Sequence, residues 1–281
     1  MSGLVLTVAE LPDEPELLDA RWELVVDAVR RHRSDLVLLP ELPFASWLCA
    51  APRFDRAAWD AAAASDERWR ARLAELGDAA VVSTRPVPDG ARRLNQAYVW
   101  RAAGGPVPLR AKAHLPHEDG WWERSWFTAV EPVVRTTRVG PLDVGVLICS
   151  EMWSFDLARR FRAAGAGLLL VPRASGASWG DRWLAGGRAL ALVTGAWCAS
   201  ANRSGGEVGF GGGCWVIDPD GGVVARTGAG EPVITVTVDA DLADLTGERY
   251  PRTVLPEAAE PETAPEGPGA AVAANGAVPA F

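Results

Sequence analysis

The amino-acid sequence predicts a layered α/β protein. Apolar runs of strand length alternate with amphipathic helical stretches through the first two-thirds of the chain, and strand then follows strand in the last third. The composition agrees with this class, because 48% of the 281 residues are hydrophobic and 23% are charged. Such a chain is globular and long enough to bury a substantial core.

The first half of the chain predicts one helix between two strands, then a second helix and three more strands. Residues 4–8 (LVLTV) form a short apolar run, and residues 17–29 place apolar side chains at helical spacing. Residues 35–41 (DLVLLPE) are continuously apolar up to their last two positions, which is typical of a buried strand. A helix is expected at 57–76, and the further strands at 79–84, 95–100 and 107–112.

The second half continues the alternation and then changes to paired strands. Strands are predicted at 142–149, 168–172 and 196–201, with helices at 155–166 and 182–193 between them. The turn sequence DPDG at 218–221 predicts a hairpin, and alternating side chains predict a last strand at 233–238. We therefore expect one domain over residues 1–255, followed by a Pro/Ala/Glu/Gly-rich tail at 256–281 that is disordered or bound to a partner.

Charge and targeting signals narrow the class of partner. The formal net charge is −8 and no stretch is strongly basic, so a nucleic-acid partner is not expected. The N-terminus lacks the features of a signal peptide, and no apolar run approaches the length of a membrane span. We expect a cytoplasmic protein without a membrane partner. The cysteines are too widely spaced for a disulfide scaffold or a zinc knuckle: Cys49, Cys149, Cys198 and Cys214.

Three polar residues stand where apolar strands end or emerge. Glu41 closes the run at 35–41, Lys112 ends the strand predicted at 107–112, shortly before a proline, and Cys149 closes the run at 142–149. Considered one at a time, Glu41 would be a capping or ion-paired carboxylate, Lys112 an exposed cation and Cys149 a thiol in the core. Because strand ends converge on a crevice in layered α/β folds, the three together predict a site with chemistry.

Three ordered motifs contain these residues: LPE at 39–41, KAHLP at 112–116 and ICSE at 148–151. Together with flanking segments such as GWWERSWF at 120–127, they resemble the carbon–nitrogen hydrolase (nitrilase) superfamily from about residue 4 to 252. The resemblance implies a four-layer α-β-β-α sandwich, pairing into a homodimer or larger homo-oligomer, and chemistry that needs neither a metal nor an organic cofactor.

The resemblance also assigns roles to individual residues. Cys149 would be the nucleophile, Glu41 the general base, and Lys112 a stabiliser of the developing oxyanion, while Glu123 matches a second glutamate that orients Lys112 or the substrate. The implied enzyme is an amidase-type hydrolase that cleaves a non-peptide C–N bond of a small linear amide or N-carbamoyl compound. The reaction would pass through a cysteine thioester and release ammonia.

Further residues are candidates for substrate binding. Ser150 follows the nucleophile where many family members have an aromatic residue, which favours amide and ureido substrates over nitriles. Trp153 resembles a pocket aromatic of some amidases, and Arg173 either pairs with a substrate carboxylate or forms an internal ion pair. Six of the thirteen tryptophans fall between residues 121 and 183, where they either pack in the core or line an aromatic pocket.

Other functions remain open. Nitrile hydrolysis, acyl transfer to an amine and a non-catalytic binding subunit would all use the same fold. The segment 176–180 fits G-x-S-x-G, but a serine hydrolase of that type needs a histidine after the serine, and all three histidines come earlier. A zinc site from His114, His117 and Glu118 is disfavoured by the intervening Pro116. A Cys149–His114 dyad would leave Glu41 and Lys112 unexplained.

Overall fold

A computed structural model describes residues 3–228, 230–243 and 249–255. The tail predicted at 256–281 lies outside the described residues. None of the helices in the described ranges is long and apolar enough to cross a membrane.

Five α-helices and fourteen strands are formed by the described residues, joined by short turns and 3-10 helices. The helices are α1 (Pro15–His32), α2 (Arg56–Ala71), α3 (Glu123–Trp126), α4 (Phe155–Ala163) and α5 (Gly180–Thr194). The strands are β1 (Gly3–Ala9), β2 (Leu11–Pro12), β3 (Leu36–Leu38), β4 (Ala80–Asp89), β5 (Arg92–Arg101), β6 (Gly105–Ala111), β7 (Thr137–Val139), β8 (Leu142–Val146), β9 (Ala166–Arg173), β10 (Trp197–Gly205), β11 (Phe210–Gly211), β12 (Trp215–Ile217), β13 (Val223–Arg226) and β14 (Val233–Asp239).

The strands form two mixed sheets. The first has the order β14-β1-β3-β4-β5-β6, with β1, β3 and β4 parallel and the outer strands antiparallel to their neighbours. The second has the order β13-β12-β10-β9-β8-β7, with β8, β9 and β10 parallel, and the short strands β2 and β11 also pair with β10. Within each sheet, the carboxyl ends of the parallel strands lie at the same edge, and crevices form at this edge in such folds.

Side-chain alternation in the central strands separates the layers. Leu36 and Leu38 of β3 belong to the core cluster that also contains Val144 and Val146 of the second sheet. Val37, between them, packs instead with Trp22 of α1. Since neighbouring residues of a strand face opposite sides, the first sheet is covered by the second sheet on one face and by helices on the other. On the second sheet, α4 and α5 contact β9, β10 and β12. The α-β-β-α sandwich is thus confirmed.

The strands that lead to Glu41 and Cys149 are shorter than predicted. The run at 35–41 is a strand only over Leu36–Leu38, and the run at 142–149 is a strand only as far as Val146. Cys149 instead begins a 3-10 helix, Cys149–Trp153. The residues that follow the last paired residue of each strand are also buried, so the apolar sequence continues beyond the end of the strand. The hydrophobic pattern alone therefore does not reveal where strand pairing stops. The sequence also failed to predict β7 and the full length of the β4–β5 hairpin.

Candidate active site

Glu41 lies just beyond β3 and is completely buried. The chain turns sharply after it, because Leu42 adopts a positive φ of 46° and donates its backbone N–H to Thr84 Oγ1 at 2.9 Å. Pro40 O accepts a 2.8 Å hydrogen bond from Ser83 Oγ, which fixes the other side of the turn. The Glu41 side chain therefore leaves the sheet in a defined direction, toward β5 and β6.

A glutamate–lysine–glutamate cluster forms at this point. Lys112 Nζ donates to Glu41 Oε1 at 2.7 Å and to Glu123 Oε1 at 2.7 Å, and only 1% of Lys112 is exposed. Asn95 Nδ2 also donates to Glu41 Oε1 at 2.7 Å, and Asn95 O accepts the Lys112 backbone N–H at 2.8 Å. The other carboxylate oxygen of Glu41, Oε2, has no hydrogen-bond partner among the described residues. It is therefore free to accept a proton.

Cys149 has a backbone conformation that few side chains adopt. Its φ is 48°, in the left-handed region, at the first residue of the 3-10 helix. Such strain costs about 1–3 kcal/mol and persists only where surrounding contacts hold it. The thiol Sγ contacts Ala174 O at 3.4 Å, and the residue is 4% exposed, at the wall of a pocket that Glu123 also lines.

A buried ion pair holds the strained turn in place. Glu151 accepts the Ile148 backbone N–H at 2.8 Å and the Ala113 backbone N–H at 2.7 Å. Arg110 Nη2 donates to Glu151 Oε1 at 2.9 Å, and Arg110 Nη1 bonds Oε2. Ala113 and Ile148 adjoin Lys112 and Cys149, so one carboxylate connects the backbones that carry the ammonium and the thiol.

The ionisable groups of the site influence one another. Burial, Glu41 and Glu123 raise the pKa of Cys149, whereas Lys112 opposes them. Burial would lower the pKa of Lys112, but the two carboxylates outweigh it and raise that pKa. Burial, together with the negative charge of Glu41, raises the pKa of Glu123 to about 8 against the opposing effect of Lys112. At neutral pH the cysteine is therefore a thiol, and an attack on substrate needs a base.

A cavity of about 710 Å³ opens above this cluster. Cys149, Ser150, Trp153 and Glu123 line it, so the structure brings these predicted site residues to one cavity. Ser150 Oγ donates to His114 O at 2.6 Å. The remaining wall is mostly aromatic or small. Glu41 and Lys112 are not among the lining residues, and they connect to the cavity through the contact of Lys112 with Glu123.

The structure does not support the substrate-binding interpretation of Arg173. This residue is 1% exposed, and it is absent from the residues that line the cavity. Its guanidinium donates to Ser200 Oγ at 2.8 Å, to Gly213 O at 2.6 Å, to Gly212 O and to Ser175 Oγ. The alternative prediction, an internal ion pair, was closer to the observed contacts, although the partners of Arg173 are hydroxyl and carbonyl oxygens rather than a carboxylate. The guanidinium lies behind the cavity wall, 5.6 Å from the ring centroid of Trp183.

The tryptophans divide between the two expected environments. Four line the cavity: Trp121, Trp153, Trp179 and Trp183. Trp126 is instead a buried core residue, and Trp122 packs against His117 at a ring-centroid distance of 5.0 Å. Spacing along the chain could not separate these groups, since adjacent residues 121 and 122 have different surroundings.

The competing motifs gain no support from the described residues. Ser178 of the G-x-S-x-G segment lines the cavity, but its segment is a 3-10 helix rather than a strand-to-helix turn. His114 is exposed, and its carbonyl, not its ring, contacts the cysteine helix. No group of three or more possible metal ligands is arranged around a common point in the described ranges.

Three supporting residues were not predicted. Asn95 orients Glu41, and the Arg110–Glu151 pair fixes the turn before Cys149. Glu151 was visible in the ICSE motif, and its completely buried position could have been suspected because an apolar strand precedes it. Asn95 gave no such signal, because its strand also contains Arg92, Arg93 and Gln96.

A two-sheet sandwich with a buried carboxylate–ammonium cluster beside a cysteine-lined cavity is the arrangement expected of a carbon–nitrogen hydrolase. The chain belongs to the carbon–nitrogen hydrolase family, which it matches over residues 10–247.

Similarity to particular proteins supports the family. The chain is 32% identical over 251 residues to the glutamine-dependent NAD(+) synthetase of Rhodobacter capsulatus, covering 85% of the chain but only 43% of that protein. The chain thus spans less than half the length of that relative. It is 25% identical to the N-carbamoylputrescine amidase of Solanum tuberosum, covering 88% and 89% of the two chains.

A solved structure agrees with the fold. A variant of the amidase from Nesterenkonia sp. AN1 superposes with a TM-score of 0.70 at 23% identity, over 89% of this chain and 94% of that one. That structure shows covalent addition of the acetamide moiety of fluoroacetamide at its active-site cysteine.

We expect Cys149 to be the cysteine that electrophiles modify first, with a rate that rises steeply with pH. The thiolate is the reactive form, so a raised pKa should increase the rate about tenfold per pH unit through the neutral range. Cys49, Cys198 and Cys214 are fully buried and do not line the cavity. Peptide mapping after timed iodoacetamide treatment measures both effects, with Cys149→Ala as the control. Earlier labelling of another cysteine, or a rate that levels off below neutral pH, would contradict the expectation.

Proposed function

We propose that this protein hydrolyses the C–N bond of a small linear amide or N-carbamoyl compound through a thioester on Cys149 and releases ammonia. The observation that carries this proposal is the arrangement around Lys112. Its ammonium lies 2.7 Å from Glu41, whose second carboxylate oxygen is unpaired, and the charges of both residues act on the Cys149 thiol.

The acylation step needs a base because the resting cysteine is a thiol. Glu41 takes the thiol proton, and Cys149 Sγ attacks the carbonyl carbon of the amide. The carbonyl π electrons move to oxygen, which becomes an oxyanion. The Lys112 ammonium and the backbone N–H of Ser150 in the first turn of the 3-10 helix stabilise that charge, a contribution of roughly 3–4 kcal/mol for each donor.

The tetrahedral intermediate then collapses. Glu41 delivers its proton to the departing nitrogen, the C–N bond breaks, and ammonia leaves while the acyl group remains as a thioester. A water molecule enters, gives a proton to Glu41 and attacks the thioester carbon. The C–S bond breaks, the carboxylic acid product leaves, and the proton returns to the sulfur, so that the enzyme is restored.

Glu123 acts through Lys112 in this scheme. Its contact with Nζ holds the ammonium between two carboxyl groups, which keeps the cation charged in a buried position. Because Glu123 also lines the cavity, it contacts the bound amide as well. The activity of the plant N-carbamoylputrescine amidase and the cysteine adduct of the Nesterenkonia amidase both support a substrate with an amide or ureido group.

Product analysis tests the proposal. Wild-type protein incubated with a panel of primary amides in ¹⁸O-labelled water should release ammonia and an equal amount of acid that carries one ¹⁸O atom. Ureido compounds should release ammonia and a carbamic acid, which decomposes to carbon dioxide and an amine. Added hydroxylamine should divert part of the acyl group to a hydroxamate, and nitriles should be poor substrates. The control Cys198→Ala should keep turnover, because that thiol is buried and does not line the cavity. If Cys149→Ala keeps turnover, or if ammonia appears from a primary amide without labelled acid, the thioester mechanism at Cys149 is wrong.

The expected cytoplasmic location and assembly into a homodimer or larger homo-oligomer stay predictions. Size-exclusion chromatography with light scattering measures the second of them directly.

A further inference from the structure

The aromatic part of the cavity has two walls. Trp153 and Trp183 form one of them, with ring centroids 5.4 Å apart and planes tilted by 54°. Trp121 belongs to the other and rests on Phe210 and Trp47, at centroid distances of 5.5 and 5.7 Å. The wall that contains Trp121 is therefore supported from behind by packed aromatic side chains.

Two of the indoles present unusually large areas to solvent. Trp179 is 50% exposed and Trp153 is 41% exposed, although both adjoin the cavity. Large apolar side chains with such exposure commonly mark a binding surface when they cluster. The cavity therefore holds more apolar surface than the small reacting amide group can cover.

A glycine on α5 makes room for the indole of Trp153. A Cβ atom at Gly186 would lie 2.7 Å from two ring atoms of Trp153 and 2.8 Å from Met152 Cε. The ring thus lies directly against the helix backbone. Without this glycine it would be displaced, so Gly186 helps to set the width of the cavity.

The charge of the cavity restricts its occupant. The ionisable acids that line it are Glu118 and Glu123, and no lysine or arginine belongs to the lining. Arg173 lies beneath the wall, with its donors bonded to internal oxygens, and Arg182 holds its guanidinium 4.5 Å from the Trp179 ring. A ligand carboxylate would lose its hydration here without gaining a cationic partner, which costs free energy.

We propose that the arm of the substrate that does not react is an aromatic ring without a negative charge, which binds among Trp121, Trp153, Trp179 and Trp183 while its amide group reaches Cys149. This inference rests on the proposed function for the position of the amide. Aromatic rings gain about 0.5–1.5 kcal/mol from edge or offset-stacked contacts beyond the area that they bury. Four indoles around one cavity offer such contacts on more than one side.

The test compares primary amides that differ only in the arm. We expect kcat/KM for 3-phenylpropanamide to exceed that for 3-cyclohexylpropanamide roughly two- to tenfold, since the two rings have similar size but only phenyl is flat and aromatic. Succinamate, with a carboxylate arm, should be worse by at least about a hundredfold. Higher values for the cyclohexyl, carboxylate or 4-aminobutanamide substrates would overturn the proposal.

Variants test the location. Trp153→Leu and Trp179→Leu should each reduce the phenyl-to-cyclohexyl ratio toward one. Trp69→Leu is the control, because Trp69 stacks on Phe44 in a separate core cluster. An unchanged ratio in both cavity variants would overturn the assignment.

Binding separates this proposal from the proposed reaction. Calorimetric titration of Cys149→Ala with 3-phenylpropanamide and its cyclohexyl analogue should show the same preference for phenyl. Tighter binding of phenyl without turnover by the wild type would contradict the reaction but support the aromatic site. Equal binding of the two compounds, with active wild-type enzyme, would overturn the aromatic site alone.

Discussion

Replacing Cys149 with alanine should abolish turnover and leave the fold intact. The sulfur is the nucleophile of the acylation step, so its removal should lower kcat/KM by a factor on the order of 10⁴ or more. Cysteine to alanine removes a single heavy atom from a site at the wall of a cavity, and we expect the free energy of unfolding to change by less than about 1.5 kcal/mol. Ammonia release and urea denaturation measure the two quantities.

A serine variant gives the matched comparison. Cys149→Ser keeps a hydroxyl nucleophile that is harder to ionise, so it should also be inactive, while retaining the native unfolding midpoint. A Cys149→Ala protein with wild-type turnover would contradict the role of the thiol. If Cys149→Ala loses both its activity and its fold, the Cys149→Ser protein shows whether activity is lost through the missing thiol or through unfolding.

Replacing Lys112 with methionine should damage both catalysis and stability. The ammonium is the proposed oxyanion partner, and its loss should lower kcat about 10²- to 10³-fold. It also separates two buried carboxyl groups that lie within 2.7 Å of it. Removing one partner of a buried ion pair typically costs about 3–5 kcal/mol, because the remaining charge has no compensation.

The stability loss in Lys112→Met should depend on pH. Without the cation, the folded-state pKa of Glu123, already raised to about 8, should rise further above its value in the unfolded chain. A raised folded-state pKa means that the folded protein retains a proton that the unfolded chain releases. The free energy of unfolding of both proteins should therefore fall as the pH rises toward about 8. Above that pH the wild type should level off as Glu123 ionises, whereas Lys112→Met should continue to lose stability, by up to about 1.4 kcal/mol per pH unit for each retained proton.

A double variant separates the two effects of Lys112. Lys112→Met/Glu123→Gln removes the ammonium and one of its carboxyl partners, and we expect it to regain much of the stability at about pH 8 without regaining activity. Urea unfolding at several pH values gives the profiles. A stability loss in Lys112→Met that is the same at all pH values would show that the carboxyl groups are not the cause.

The sequence predicted the elements of the fold better than their ends. Helical spacing at 17–29 and the apolar run at 35–41 correctly indicated α1 and β3, because burial of one face or of both faces leaves a pattern in the chain. The position at which pairing stops leaves no such pattern. The strand before Cys149 therefore ends earlier than predicted, and the positive φ of Cys149 was not foreseen.

The sequence predicted the site residues that belong to recognisable motifs, but not the surroundings of residues whose role depends on tertiary contacts. The convergence of Glu41 and Lys112 with Glu123 followed from ordered motifs, and the structure brings their side chains into contact. Asn95 and Arg173 show the limit. Each is a polar residue in or at the end of a buried strand, but one contacts Glu41 and the other bonds internal oxygens. Only the packing of the two sheets distinguishes these outcomes.

The most direct test of the central claim is the mass of the acylated protein. A p-nitrophenyl ester has a leaving group that needs no proton, so Glu41→Gln at about pH 8 should form the thioester through the ionised fraction of Cys149 but hydrolyse it slowly for want of a base. Intact-protein mass spectrometry should then show one added acyl group, mapped to Cys149, together with one equivalent of nitrophenolate. An adduct on another residue, or rapid full turnover by this variant, would contradict the account.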